Sequence, residues 1–145
     1  MVKIYKIPKV KTKDKINGKF NGLMIPIWKD YDPLLAGGSK MKPRFVYFFT
    51  CAARSEKGPH LHKKRRGLLT LLEGKALFVY QVGKKFKEIK LDAAKEAIMI
   101  DIPKGTGYLI KNLYSKEAKF VNICDYPWRP DDNETITPDF SGYKK

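Results

Sequence analysis

Between residues 45 and 124 no apolar pattern runs long enough to build a helix, and this constrains the chain more than any other feature. The apolar segments at 45–51, 68–72, 75–82, 86–91, 97–102, 108–112 and 119–124 are short and rich in β-branched or aromatic side chains. Turn formers separate them: Glu73-Gly74, Gly83-Lys84, Asp92-Ala93, Pro103-Lys104-Gly105-Thr106-Gly107 and Tyr114-Ser115-Lys116. Glycine supplies the left-handed backbone that tight turns need, and proline presets φ at their first corner. A helix needs an apolar stripe held over ~10–12 residues, a strand only ~4–8. The pattern predicts an all-β sandwich or barrel, with at most one helical turn at 92–96.

The two ends differ from this middle. Residues 1–43 carry possible strands at 2–7 and 22–27 and a loose stretch at 32–40. Residues 127–145 hold Pro127, Pro130 and Pro138 among several acids, a pattern that predicts an irregular tail over the surface. No repeat or low-complexity linker divides the chain. The 145 residues therefore read as a single domain, with a core at about 44–126, N-terminal strands at about 1–43 and the tail from about 127. Exposed N-terminal strand edges are a common route to pairing, and they point to a homodimer.

Composition removes several function classes. Hydrophobic residues make up 43% of the chain and aromatics 12%, enough to fill a core despite a net charge of +15. No apolar run nears the ~18 residues of a membrane span. The first residues alternate charge with apolar side chains and lack a signal-peptide core, so no membrane partner and a cytoplasmic location are expected. Cys51 and Cys124 lack CxxC spacing and read as structural thiols. The lysines are spread along the chain with no helix-turn-helix, zinc-finger or RNP-type motif, so nucleic acid is not the expected partner. One dense run, Lys63-Lys64-Arg65-Arg66, stands apart because it follows two histidines.

Those two, the only histidines in the chain, lie in Gly58-Pro59-His60-Leu61-His62-Lys63. Residues i and i+2 of a strand face the same way, so both rings would enter one enclosure. Such a pair can ligate a metal, move a proton, or sit satisfied in a core. Tyr126 and Trp128, taken alone, read as caps on a barrel mouth. Strand alternation would send only half of residues 63–66 inward.

From Gly58 onward the pattern resembles the cupin family of jelly-roll (double-stranded β-helix) proteins. Gly58, His60, His62 and Gly74 match the first cupin motif, with Arg66 and Gly67 at its Glu positions. Pro103, Gly105 and Asn112 match the second, PxGxxHxxxN, with Tyr108 at its His position. A catalytic metal takes three or four protein ligands, and two of the usual ones are replaced here. The resemblance therefore implies no metal and no cofactor.

Within cupins, the chain is similar to the nucleotide-sugar branch: dTDP-4-dehydrorhamnose 3,5-epimerases and dTDP-4-keto-6-deoxyglucose 3,4-ketoisomerases. The residues that carry this are Arg44-Phe45-Val46-Tyr47-Phe48-Phe49, the Gly58–Lys63 element, and Asn122 with Asp125-Tyr126 and the acids up to Glu134. The resemblance implies an epimerase or ketoisomerase of deoxysugar and surface-polysaccharide biosynthesis, taking a nucleotide-sugar substrate. His60 would be the general base, Tyr126 the acid, and His62 a further catalytic group. Substrate binding would fall to Lys57, Lys63, Arg65, Arg66, Arg44, Tyr47, Tyr108 and Asn112. The epimerases also orient their base with a carboxylate from a C-terminal region that this chain lacks, leaving Asp125 or Asp101 as substitutes. The alternatives are a non-catalytic sugar- or anion-binding cupin and a metal-dependent cupin enzyme with altered ligands.

Overall fold

Twelve strands appear among the described residues, which are 1–28 and 41–143 of a computed structural model. They are β1 (Lys3–Ile7), β2 (Val10–Lys13), β3 (Phe20–Met24), β4 (Phe45–Cys51), β5 (Ser55–His62), β6 (Gly67–Glu73), β7 (Lys75–Val82), β8 (Lys85–Asp92), β9 (Ala97–Ile102), β10 (Gly107–Asn112), β11 (Ala118–Cys124) and β12 (Thr135–Ile136). One five-stranded sheet runs β1-β9-β6-β11-β4, the other β12-β5-β10-β7-β8, and β2 pairs with β3. Every pairing is antiparallel, and strands distant in sequence lie side by side, as in a jelly roll. No helix among these residues is long and apolar enough to cross a membrane.

The strands at 45–51, 75–82 and 97–102 have the bounds expected from sequence, and the other predicted segments differ from theirs by a few residues. At 92–96 the chain makes one turn, closed by Glu96 N–H donating to Asp92 O at 3.1 Å. The loose stretch at 32–40 lies outside the described residues. Two departures matter for the site. β5 forms although Glu56, Lys57, Gly58 and Pro59 interrupt its apolar pattern. The tail is more than a surface covering, because Thr135 and Ile136 pair with His62 and Leu61 of β5.

The sheets bury Phe78, Phe120, Leu69, Leu71, Ile100 and Ile110 between them. Cys51 and Cys124 are both buried and free, and burial pushes the Cys124 thiol up to about 12. The tail then crosses the outer face of the second sheet. There Phe140 and Tyr143 pack with Phe86 over Leu77, Val79 and Leu109, and the Tyr143 hydroxyl donates to Glu88 at 2.5 Å.

Gly67 is where β6 and β11 press closest around the site. A Cβ there would stand 2.8 Å from Asn122 Oδ1, and the Asn122 amide donates to the Tyr47 hydroxyl at 3.0 Å. Overpacking of this kind costs ~1–3 kcal/mol. Gly67→Ala is expected to lose stability in that range by urea unfolding; an unchanged midpoint would show that Asn122 can move aside freely.

Candidate active site

Strand β5 brings His60 and His62 to one face, with ring centroids 6.1 Å apart. Its neighbour β10 sets Tyr108 directly opposite His60. Gly58 permits that approach: its φ is +105°, and a Cβ would lie 3.1 Å from both Tyr108 O and His60 N. An L side chain there meets both a backbone angle it rarely adopts and contacts tighter than usual. The Tyr108 ring consequently sits against both imidazoles, with centroids 5.9 Å from His60 and 6.0 Å from His62.

His60 faces a cavity of about 130 Å³ lined by Tyr47, Phe49, Lys57, Tyr108 and Ile110. Burial, then the charges of Lys57 and Arg65, hold its imidazole below the usual histidine range. It is therefore neutral at pH 7, with a lone pair available to take a proton. Complete small-molecule sites usually enclose ~300–1,000 Å³. A space this small suits one ring, with the rest of a larger ligand lying along the open mouth.

His62 is buried and differently held. Its Nδ1 lies 2.6 Å from Glu134 Oε1. A carboxylate only accepts, so Nδ1–H donates and Nε2 keeps its lone pair. The Tyr108 hydroxyl stands 3.3 Å from that Nε2 and can donate to it. Arg65 Nη2 is 3.1 Å from Nδ1 and 3.0 Å from Nε2. An atom in the ring plane could not be that near both without striking the carbon between them, so the guanidinium lies over the imidazole face. Burial, then Arg65, hold His62 neutral. The Glu134 carboxylate that would favour an imidazolium already faces Arg65, whose Nε is 3.8 Å away.

The remaining sequence candidates scatter. Arg65 turns inward over Phe45, Tyr47 and His62, and Lys57 lines the His60 cavity. Arg66 is committed to Asp101, its Nε and Nη2 donating at 2.8 and 2.7 Å. Lys63 and Arg44 are exposed and line no part of that cavity. Tyr126 lies against Lys64, Arg129 and Asp132, outside the cavity lining. Asn112 is buried at the other end of β10, fastening the turn beyond it.

Glu134 was missed from sequence. The substitutes Asp125 and Asp101 are engaged elsewhere: Asp125 accepts from Arg66 N–H at 2.8 Å, and Asp101 holds the Arg66 side chain. An acid just before a β-branched pair, Thr135-Ile136, in a proline-bounded tail was the available signal. A divalent cation does not fit the pair of histidines, because the Arg65 guanidinium lies over the His62 ring, 3.0 Å from the Nε2 that would have to bind it. Among the described residues no group of three or more His, Cys, Asp or Glu is placed to hold a metal.

Two facing antiparallel sheets with an HxH strand across the interior define a cupin. Residues 36–145 match the family described as FdtA: WxcM-like, C-terminal. The chain belongs to that family. A search of curated protein sequences finds no match. Among solved structures, a dTDP sugar isomerase from Desulfovibrio desulfuricans G20 superposes with a TM-score of 0.79 at 14% identity, covering 95% of this chain and 83% of its own. The 3,5-epimerase RmlC from Legionella pneumophila Philadelphia 1, in complex with dTDP-4-keto-L-rhamnose, gives 0.73 at 17% identity over 97% and 73% of the two chains. A 3,4-ketoisomerase from Helicobacter canadensis gives 0.70 at 20% over 94% and 90%. The chain spans only 25% of CapF, the capsular polysaccharide assembling protein of Staphylococcus aureus, which it matches with a TM-score of 0.59 at 19% identity over 63% of its own length. At these identities the likeness is one of fold.

The placement of Arg65 makes a test of the His62 electrostatics. With that cation removed in Arg65→Met, His62 faces Glu134 alone, and an adjacent carboxylate favours the imidazolium. Its titration, followed by imidazole NMR, is expected to rise by at least ~1 pH unit. An unmoved His62 would mean that burial alone keeps it neutral.

Proposed function

We propose that this chain is an epimerase or ketoisomerase acting on a nucleotide-linked, dTDP-type 4-keto-6-deoxyhexose, in the cytoplasmic synthesis of deoxysugars for surface polysaccharide. The observation that carries this is a neutral His60 imidazole facing a ring-sized cavity that Tyr47 and Lys57 also line. The family match and the nucleotide-sugar complexes of structural neighbours support the substrate class.

The chemistry follows from the ketone. A C4 carbonyl acidifies the C–H bonds at C3 and C5, and His60 takes one of those protons as the enolate forms. Returning a proton to the other face of the same carbon completes an epimerisation. If instead the C3 hydroxyl proton passes to O4 and the proton taken from C3 is delivered to C4, the product is the 3-keto sugar of a ketoisomerisation. Lys57, at the cavity wall, supplies a fixed cation for the enolate oxygen or the pyrophosphate.

Tyr47 suits the acid better than Tyr126, which stands outside the cavity lining. Its hydroxyl accepts from the Asn122 amide at 3.0 Å, so its own proton is free to be donated. Burial also raises its pKa, which keeps it protonated. Tyr108 points its hydroxyl at His62 and serves as a wall held by the His62–Glu134 pair. The same reading includes a homodimer, supported by the exposed Phe20, Leu23 and Met24 of the β2–β3 hairpin.

Incubation with dTDP-4-keto-6-deoxyglucose in deuterium oxide is the direct test. Deuterium should enter at C3 or C5, or a new keto sugar appear, and His60→Asn should slow this at least ~10²-fold. Thermal stabilisation by the nucleotide sugar with no exchange and no product would instead mark a binding protein.

Lys57 gives a pH prediction of definite sign. Its charge lowers the His60 pKa, so removing it in Lys57→Met raises that pKa back toward ~6.5. A base must be unprotonated to act, so the acid limb of the kcat/KM profile should move to higher pH. A limb that stays in place would remove His60 from the role of base.

A further inference from the structure

A cavity of about 420 Å³ lies at the far end of the barrel from His62. The register of β5 and β10 fixes the direction, since Tyr108 pairs with His60 at one end and Asn112 with Ser55 at the other. Its wall comes from turns that close four separate strand connections. Arg54 follows β4, Lys75 opens β7, Asp92 closes β8, and Leu113, Tyr114 and Lys116 join β10 to β11. Its volume falls in the ~300–1,000 Å³ range of small-molecule sites.

Three cations and one acid line this space, and the acid is already engaged: Asp92 Oδ1 accepts from Ala94 N–H at 3.1 Å. Two of the cations are positioned rather than merely present. Arg54 holds φ at +57°, a left-handed angle that a non-glycine residue adopts only when its surroundings require it. Its N–H donates to Tyr114 O at 3.2 Å, and Nη1 donates to Leu113 O at 2.7 Å. One of its five side-chain donors is used there. Lys75 Nζ stands 5.5 Å over the Tyr114 ring.

The turn beneath is built to shape. Asn112 is almost wholly buried, and its Nδ2 donates to Cys51 O at 3.0 Å and Lys116 O at 2.8 Å. Its Oδ1 accepts from Tyr114 N–H at 3.0 Å. The amide therefore spends itself on holding Leu113–Lys116 in one conformation. That turn nevertheless leaves Leu113 half exposed and Tyr114 more than a third exposed. Large apolar groups displayed on a rigid turn among cations form a wall for something that is part anion and part ring.

We infer that this far-end cavity is a second ligand site, one that takes a nucleoside phosphate. The phosphate sits among Arg54, Lys75 and Lys116, and the ring system lies along Leu113 and Tyr114. Charge-assisted hydrogen bonds from a fixed guanidinium give such a site its geometry. The two lysines add attraction that salt screens. The site shares no lining residue with the His60 cavity, so both can be filled together, and the inference stands whatever reaction occurs at His60.

The test is a titration of the full chain by amide NMR with thymidine 5′-monophosphate, inorganic phosphate and thymidine as separate probes. The nucleotide is expected to shift residues 54, 75 and 113–116 at concentrations where neither fragment does. In the Lys75→Gln/Lys116→Gln double variant, whose side chains are exposed and safe for folding, that affinity should fall at least tenfold. Shifts at the His60 cavity, if present, should keep their original midpoint. The inference is overturned if the far-end turns do not respond, or if thymidine alone moves them equally. It is also overturned if the double variant binds as before, or if the response spreads evenly over the lysines at 11–19, which would be general charge attraction.

Discussion

The contact on which the interior of this protein depends is the 2.6 Å hydrogen bond between His62 and Glu134. It joins residues 72 apart in sequence, and it brings a tail that would otherwise lie on the surface to the edge of β5. Burying a carboxylate is costly unless partners meet it, and here an imidazole N–H, the Thr135 hydroxyl nearby and the Arg65 guanidinium share that duty. The consequence reaches further than the pair. With Nδ1–H committed to Glu134, Nε2 is left as an acceptor, and the Tyr108 hydroxyl has a fixed direction. The wall of the His60 cavity is thus set by a residue that never touches it.

Arg65 gives the site its balance of charge. Guanidinium plus carboxylate with a neutral imidazole is a buried group of zero net charge; a second proton on His62 would leave an uncompensated cation inside the barrel. The same guanidinium lies near the rings of Phe45 and Tyr47, so its charge is spread over aromatic faces as well as paired. The two histidines, alike in sequence and one residue apart, therefore have different work. His62 is locked as a neutral structural relay, whereas His60 keeps a free nitrogen toward the cavity. Under the proposed reaction only the second of these exchanges a proton with substrate.

The sheet architecture was legible because its signal is local. Short β-rich runs closed by Gly and Pro turns fix where strands begin and end, and segments such as 75–82 and 97–102 needed no tertiary information. β5 was legible only through its histidines, since Glu56, Lys57, Gly58 and Pro59 remove the apolar alternation that marks a half-buried strand. Arg65 could be placed near the histidines from sequence, because strand alternation sends some of the 63–66 run inward; Lys57, three residues before His60, follows a shift in the β5–β10 register instead. Which members turn in is decided by pairing: Arg66 finds Asp101 and Arg65 does not. Glu134 was beyond reach because its partner His62 lies 72 residues away, and spacing along a sequence carries no record of such partners. Asn112 read as a turn-shaping residue, and it does fasten the turn two and four residues on.

Asn112 shows how one motif position can serve a purpose its neighbours do not suggest. It lies four residues past Tyr108 on β10, and the strand carries the two to opposite ends of the barrel. At one end Tyr108 is held by His62 and closes the cavity wall; at the other Asn112 fixes a turn and joins it to Cys51 on β4. Strand β4 then returns through Phe49 and Tyr47 to the His60 cavity. The two ends therefore share strand β10, in which a turn fastened at Asn112 and a phenol fastened at His62 lie four residues apart. A shift of β10 along its axis would loosen both at once, because the hydrogen bonds that hold each end do not slide. The barrel accordingly carries its two openings on one strand, with different side-chain chemistry at each end.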